Sequence, residues 1–108
     1  MNRISIVECP RDAWQGIHEF IPTAEKVAYL KRLLQCGFDT LDAGSFVSPR
    51  AMPQMADAYE LFGALEEAKS KSPTKLLAIC REYVTAIRIK AAVAEAANNT
   101  VSVTIVVV

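Results

Sequence analysis

Apolar positions along the chain follow two alternating periods. Ile4 and Ile6 stand two residues apart within residues 4–7, which predicts a short buried strand ending near Glu8. Residues 9–22 show no clear period and contain Pro10, Gly16 and Pro22, which reads as a long loop. From Thr23, a plausible N-cap with Glu25 in the first turn, Val27, Leu30, Leu33 and Leu34 form a helical stripe, and Gly37 stops it. Residues 38–42 predict a second strand, and 43–53, rich in Ser, Gly and Pro, a second loop. Met55, Tyr59, Phe62 and Leu65 mark the buried face of a helix over 54–68. A turn at 70–73 leads to a strand over 75–80. Helical spacing returns at Val84, Ile87, Ala91 and Ala94, Asn98-Asn99 breaks it, and 100–108 predicts a fourth strand.

The order is therefore βαβαβαβ, an α/β class in which alternating strands and helices imply a parallel sheet with right-handed crossovers. No Gly-x-Gly-x-x-Gly and no phosphate loop follow the first strand, so a nucleotide-binding fold loses support. A (β/α)8 barrel of such units takes about 250 residues, and about three and a half units are present. The expectation is a partial TIM barrel, with residues 1–108 its N-terminal portion.

Composition narrows the function classes. With 52% hydrophobic and 22% charged residues the chain can build a core, and it is not of a disordered kind. Zero net charge with interleaved signs argues against a nucleic-acid partner; Lys69 and Lys71, the densest basic spot, read as a solvated helix end. Three cysteines do not make a disulfide framework and suit a reducing, cytoplasmic setting. The first apolar run is broken too early for a signal peptide, and no apolar window is long enough to span a membrane.

The candidate chemistry lies in the two loops. Arg11 and Asp12 follow the first strand, where a carboxylate can hold a hard divalent cation and a guanidinium can stabilise an oxyanion. A salt-bridged surface turn is the plainer alternative for that pair. Asp42 ends the second strand on the same rim, where barrels keep their active sites; alone it also fits a turn or cap carboxylate.

Together, Pro10-Arg11-Asp12-x-x-Gln15 and, some thirty residues later, Ser45-Phe46-Val47-Ser48-Pro49-Arg50-x-x-Pro53-Gln54-Met55 resemble the hydroxymethylglutaryl-CoA lyases over residues 4–79. The first motif is shared by the wider superfamily of metal-dependent barrel lyases and Claisen-type synthases; the second is specific to the lyase branch. The resemblance implies a (β/α)8 barrel. It also implies retro-Claisen cleavage of 3-hydroxy-3-methylglutaryl-CoA to acetyl-CoA and acetoacetate, assisted by magnesium or manganese. By position, Asp12 matches the metal ligand, and Arg11 the catalytic arginine that stabilises the enolate. Asp42 stands where the branch carries an acidic residue, usually glutamate, and Gln15 and Ser45 match positions close to substrate.

Cys9 and Ala13 replace glycines of the pattern, and Asp42 is one methylene shorter than glutamate, departures that bear on which acyl-CoA ester is the substrate. The family completes its metal site with a His-x-His pair and an asparagine, and uses a cysteine-bearing glycine-rich loop late in the barrel. This sequence has one histidine, His18, which reads as a loop residue rather than a ligand. Cys9 reads as packing, and Cys36 and Cys80 as core. After Ile79 the family wording fades. The expectation is that the 108-residue chain alone has no lyase activity. Alternatives are a truncated non-catalytic remnant, including one that self-associates through open strand edges, and a small α/β binding domain with a structural Arg-Asp loop.

Overall fold

The computed structural model describes residues 3–81, 88–89 and 103–107. Four strands, β1 (Val7–Glu8), β2 (Thr40–Phe46), β3 (Lys75–Cys80) and β4 (Val103–Val107), form one sheet in that order, every neighbouring pair parallel. Helices α1 (Pro10–Gln15) and α2 (Thr23–Leu33) lie between β1 and β2, and α3 (Ala58–Ala64) and α4 (Glu66–Ser70) between β2 and β3. The parallel α/β order read from the periodicity is thus present. The third predicted helix, over residues 84–94, falls largely outside the described residues, although Ile89 is fully buried in the core.

Boundaries differ from expectation in instructive ways. Ile4 and Ile6 precede β1 rather than forming it, and are 83% and 54% exposed. β1 is an edge strand, and among the described residues only β2 pairs with it. The segment before it is held instead by polar contacts: Asp39 accepts from the Ile6 N–H at 2.8 Å and pairs with Arg3. The first loop contains α1, started by Pro10, whose fixed φ suits a first helical position, with Asp12 in the favoured first turn. Thr23 is not the cap of α2. Pro22 takes that place, and the Thr23 hydroxyl donates to Asp57 Oδ2 at 2.6 Å. Gly37, with φ +84°, makes the left-handed turn out of α2 as expected.

β2 runs four residues further than the pattern suggested and carries Gly44, Ser45 and Phe46 into the sheet. The predicted helix over 54–68 is divided into a 3₁₀ turn at Pro53–Met55, α3 and α4. Its stripe is buried at Met55, Phe62 and Leu65, whereas Tyr59 is 52% exposed and lays its ring against the edge of Phe46, centroids 4.8 Å apart. Cys36 is exposed, contrary to the core assignment, and Cys80 is buried.

The core lies between the sheet and its helices. Leu41, Leu76, Ala78 and Cys80 from the strands meet Leu30, Leu34, Leu61, Phe62 and Leu65 from the helices, all buried. Fully burying a side chain such as Phe62 contributes roughly 1.5–3 kcal/mol. The turn before β3 is fastened to the end of α2: Ser72 donates to the Leu34 carbonyl at 2.6 Å, and Thr74 to that of Phe38 at 2.7 Å.

Candidate active site

Arg11 and Asp42, predicted from separate motifs, meet beyond the C-terminal end of β1. Arg11 Nε donates to both Asp42 oxygens, at 3.0 and 3.1 Å, and Nη2 donates to Oδ2 at 2.9 Å. Their side chains keep 15% and 7% of their exposure. Gln15, one helical turn after Arg11, accepts from Nη1 at 2.8 Å. The guanidinium is therefore held on two sides. A guanidinium has five N–H bonds, three of them engaged among the described residues, which leaves one N–H on each terminal nitrogen for another acceptor. The Asp42 hydrogen bond raises the Arg11 pKa above its ordinary value, against a smaller opposing effect of burial. The group is a permanent cation.

A β-bulge decides which residues accompany Asp42. β2 pairs Asp42 with Leu77 and Ser45 with Ile79, so three residue steps on β2 match two on β3, with the shift between Asp42 and Gly44. In a regular strand residues three apart point to opposite faces; the bulge returns Ser45 to the face of Asp42. Gly44 points the other way, toward α3: a Cβ there would lie 3.0 Å from the Phe62 ring. Ser45 is 2% exposed.

The remaining candidates are placed differently. Asp12 is exposed and forms no hydrogen bond or ion pair among the described residues. An unengaged carboxylate suits a hard cation as one ligand, but no group of three His, Cys, Asp or Glu residues that could hold a metal occurs among the described residues. Asp42, the other candidate carboxylate, is taken by Arg11. The described residues therefore do not form a metal site by themselves. His18 is exposed, as expected of a loop residue. Cys9 is exposed too, and its thiol pKa is raised, first by partial desolvation and next by the charge of Asp42, with Arg11 opposing. A cavity of about 420 Å³ lies past the ends of β2 and β3, lined by Phe46, Ser48, Met55, Tyr59 and Arg81, and none of Arg11, Asp12, Gln15, Asp42 or Ser45 lines it.

Sequence reasoning missed a second polar cluster. Lys26 is fully buried; its ammonium pairs with Asp57 at 3.0 and 3.2 Å and donates to the Gln54 carbonyl. The Gln54 side chain in turn bonds three backbone groups of the α1–α2 connection. The signal in the sequence was position: Lys26 stands four residues before Leu30, in line with the apolar stripe of α2, where a solvated lysine has no place.

Comparison with known proteins agrees with the motif reading. The mitochondrial hydroxymethylglutaryl-CoA lyase of Arabidopsis thaliana is 41% identical over 63 residues, covering 57% of this chain and 14% of the relative. The solved HMG-CoA lyase of Acinetobacter baumannii, a complex with coenzyme A and 3-methylmalate, superposes with a TM-score of 0.74 at 27% identity, over 94% of this chain and 30% of that one. Over about three-fifths of its length the chain is similar to the hydroxymethylglutaryl-CoA lyases. A Pseudomonas aeruginosa relative, a 3-hydroxy-3-isohexenylglutaryl-CoA/hydroxymethylglutaryl-CoA lyase, is 36% identical over 67 residues, which are 61% of this chain and 22% of that protein. The likeness to these carbon–carbon lyases thus covers between about a seventh and a third of their length. Curated relatives carry both mitochondrial and cytoplasmic names. No family profile matches the chain.

Proposed function

We propose that residues 3–81 are the opening βα units of a lyase barrel, its N-terminal portion, which cleaves 3-hydroxy-3-methylglutaryl-CoA or a close acyl-CoA ester by a retro-Claisen step. The observation that carries this reading is the Arg11 guanidinium, fixed between Asp42 and Gln15 beyond the end of β1 with two N–H groups unengaged among the described residues. In the cleavage the substrate's 3-hydroxyl loses its proton and its oxygen becomes the ketone of acetoacetate. The electron pair of the breaking carbon–carbon bond passes to the acyl-CoA fragment as an enolate, which a proton then converts to acetyl-CoA. Arg11 supplies a cation prepared in advance for the enolate oxygen, where a fixed donor acts most strongly on charge that develops during the reaction. Asp42 holds the guanidinium in orientation, Gln15 fixes its far side, and Ser45, on the face of Asp42, contacts substrate. Asp12 would be one oxygen ligand of a magnesium or manganese ion, which would polarise the substrate's oxygens. The three cysteines, an odd and sparse set, suit a reducing compartment such as the cytoplasm.

A chimera tests the reading. Residues 3–81 replace the matching segment of the Acinetobacter baumannii lyase, and acetoacetate formation is followed with manganese present. Turnover that disappears on Arg11→Gln is expected; a folded chimera whose turnover ignores that change would overturn it. The 108-residue chain assayed alone is expected to give no acetoacetate.

Exposed apolar side chains favour one second reading. Ile4, Ile6 and Val7 at one end of the sheet and Val106 and Val107 at the other are 38–83% exposed, as in a self-associating remnant. Light scattering that finds a monomer at high concentration would remove it.

A further inference from the structure

The second motif ends in Pro53-Gln54-Met55, and the chemistry above uses no atom of Gln54. Its side chain is nevertheless 5% exposed and fully engaged: Nε2 donates to the carbonyls of Ile17, at 3.0 Å, and Glu19, at 2.8 Å, while Oε1 accepts from the Ile21 N–H at 2.8 Å. Only an amide side chain offers two donors and an acceptor in this arrangement, since a carboxylate has no donor. All three partners lie in the segment joining α1 to α2.

That segment begins where α1 ends. Gly16 closes the helix, and the Ile17 N–H still bonds the Trp14 carbonyl at 3.0 Å, so the grip of Gln54 on the Ile17 carbonyl falls immediately after the helix that carries Arg11. With six residues and no side-chain cap, α1 is too short to hold its own position. Gln54 is anchored in its turn. The buried ammonium of Lys26 holds its carbonyl and both oxygens of Asp57, the Thr23 hydroxyl donates to Asp57, and the same ammonium sits 4.4 Å from the ring centroid of Phe20, in the gripped segment.

We propose that Gln54 is a positioning residue for Arg11: through the Ile17–Ile21 backbone it fixes α1, and so the orientation of the guanidinium against Asp42. The inference rests on Arg11 being the enolate-stabilising group, and its test does not depend on activity.

The test is nuclear magnetic resonance of the full 108-residue chain, ¹⁵N-labelled, reading the Arg11 Nε–H resonance and its exchange with solvent. Gln54→Met removes all three bonds, and Gln54→Glu removes the two donated ones. Leu65→Ala, a core truncation outside the cluster, is the control for a purely structural loss. Exchange of the Arg11 Nε–H should accelerate about tenfold or more in the Gln54 variants, with a shifted resonance, and stay within about twofold in the control. Equal effects in variants and control, or none in the variants, would overturn the proposal. Should the Gln54 variants not fold, the unaltered chain decides in low urea. The Ile21 amide and the Arg11 Nε–H must then exchange through one opening with one urea dependence, and separate openings overturn it. A folded chimera whose turnover ignores Arg11→Gln, beside a protected Arg11 Nε–H in the full chain, would refute the lyase reading while leaving the hold of Gln54 on α1 and the guanidinium standing.

Discussion

Arg11→Met keeps an aliphatic stem and removes the cation. The loss comprises three contacts to Asp42, at 2.9, 3.0 and 3.1 Å, and one to Gln15 at 2.8 Å. The energetic cost is set less by those bonds than by the group they leave behind, a carboxylate with 7% side-chain exposure and no counter-ion. Stranding one charge of a fully buried pair costs roughly 3–5 kcal/mol. Arg11 retains 15% exposure at a rim open to water, so screening brings the expected loss to about 2–3 kcal/mol. Adding Asp42→Leu removes the stranded charge, and the double variant should recover about 1 kcal/mol or more over Arg11→Met. Urea unfolding read by the fluorescence of Trp14, the only tryptophan and a buried one, measures each variant. The pH dependence gives a second check. A base whose folded pKa is raised contributes stability that is fully present below its unfolded pKa and is lost only as pH rises through the folded value. For an arginine with a raised pKa, the gap between wild type and Arg11→Met should stay flat from about pH 6 to about pH 10. A loss under about 0.5 kcal/mol, or a double variant as unstable as the two single losses added together, would refute the reasoning.

Three further outcomes are expected. Gly44→Ala sets a Cβ 3.0 Å from the Phe62 ring and should cost about 1–2 kcal/mol in thermal or urea unfolding, relieved by Phe62→Leu in the same chain; an unchanged melting temperature would mean the ring yields freely. Lys26→Met strands Asp57 and the Gln54 carbonyl in a buried site, and should cost about 3 kcal/mol or more by denaturant titration; a loss below about 1 kcal/mol would show that water replaces the ammonium. The Cys9 thiol should react with iodoacetamide with a midpoint above that of the same thiol in the urea-unfolded chain, because desolvation and the Asp42 charge disfavour its thiolate. Asp42→Asn should lower that midpoint, and a folded midpoint at or below the unfolded one refutes the assignment. By linkage this thiol's contribution to stability is present below its unfolded pKa and fades as pH rises through the folded one.

Much of the site was legible because its residues sit at fixed distances from strand ends. Once β1 and β2 are parallel neighbours with Glu8 opposite Leu41, whatever follows Glu8 must come up beside Asp42, and Arg11 does meet it there, although β2 runs on to Phe46 and Asp42 is not at its end. The metal set was not legible in the same way: Asp12 is exposed, and among the described residues no cluster joins it. The strand over 75–80 was found at its true bounds because Leu76, Leu77 and Ile79 follow a clear turn signal at 70–73 and precede the charged pair Arg81-Glu82. The second helix was over-extended, since a helical stripe persists in phase across Leu65, where the chain is divided into α3 and α4 but keeps a right-handed backbone.

The sequence by itself determined the alternation of strands and helices, the parallel sheet that results from it, and the identity of the groups at the rim. These depend on periodicities and turn residues that act within a few positions of one another. Only the tertiary structure decided that Ile4 and Ile6 lie outside the core, because burial of an edge strand depends on what pairs beyond it. It alone decided that Ser45 shares a face with Asp42, because a bulge is a mismatch between two strands and belongs to neither. The buried cluster of Lys26, Gln54 and Asp57 is of the same kind. A charge can be taken from water only where partners some thirty residues away arrive to pair with it, and that arrival is a property of packing.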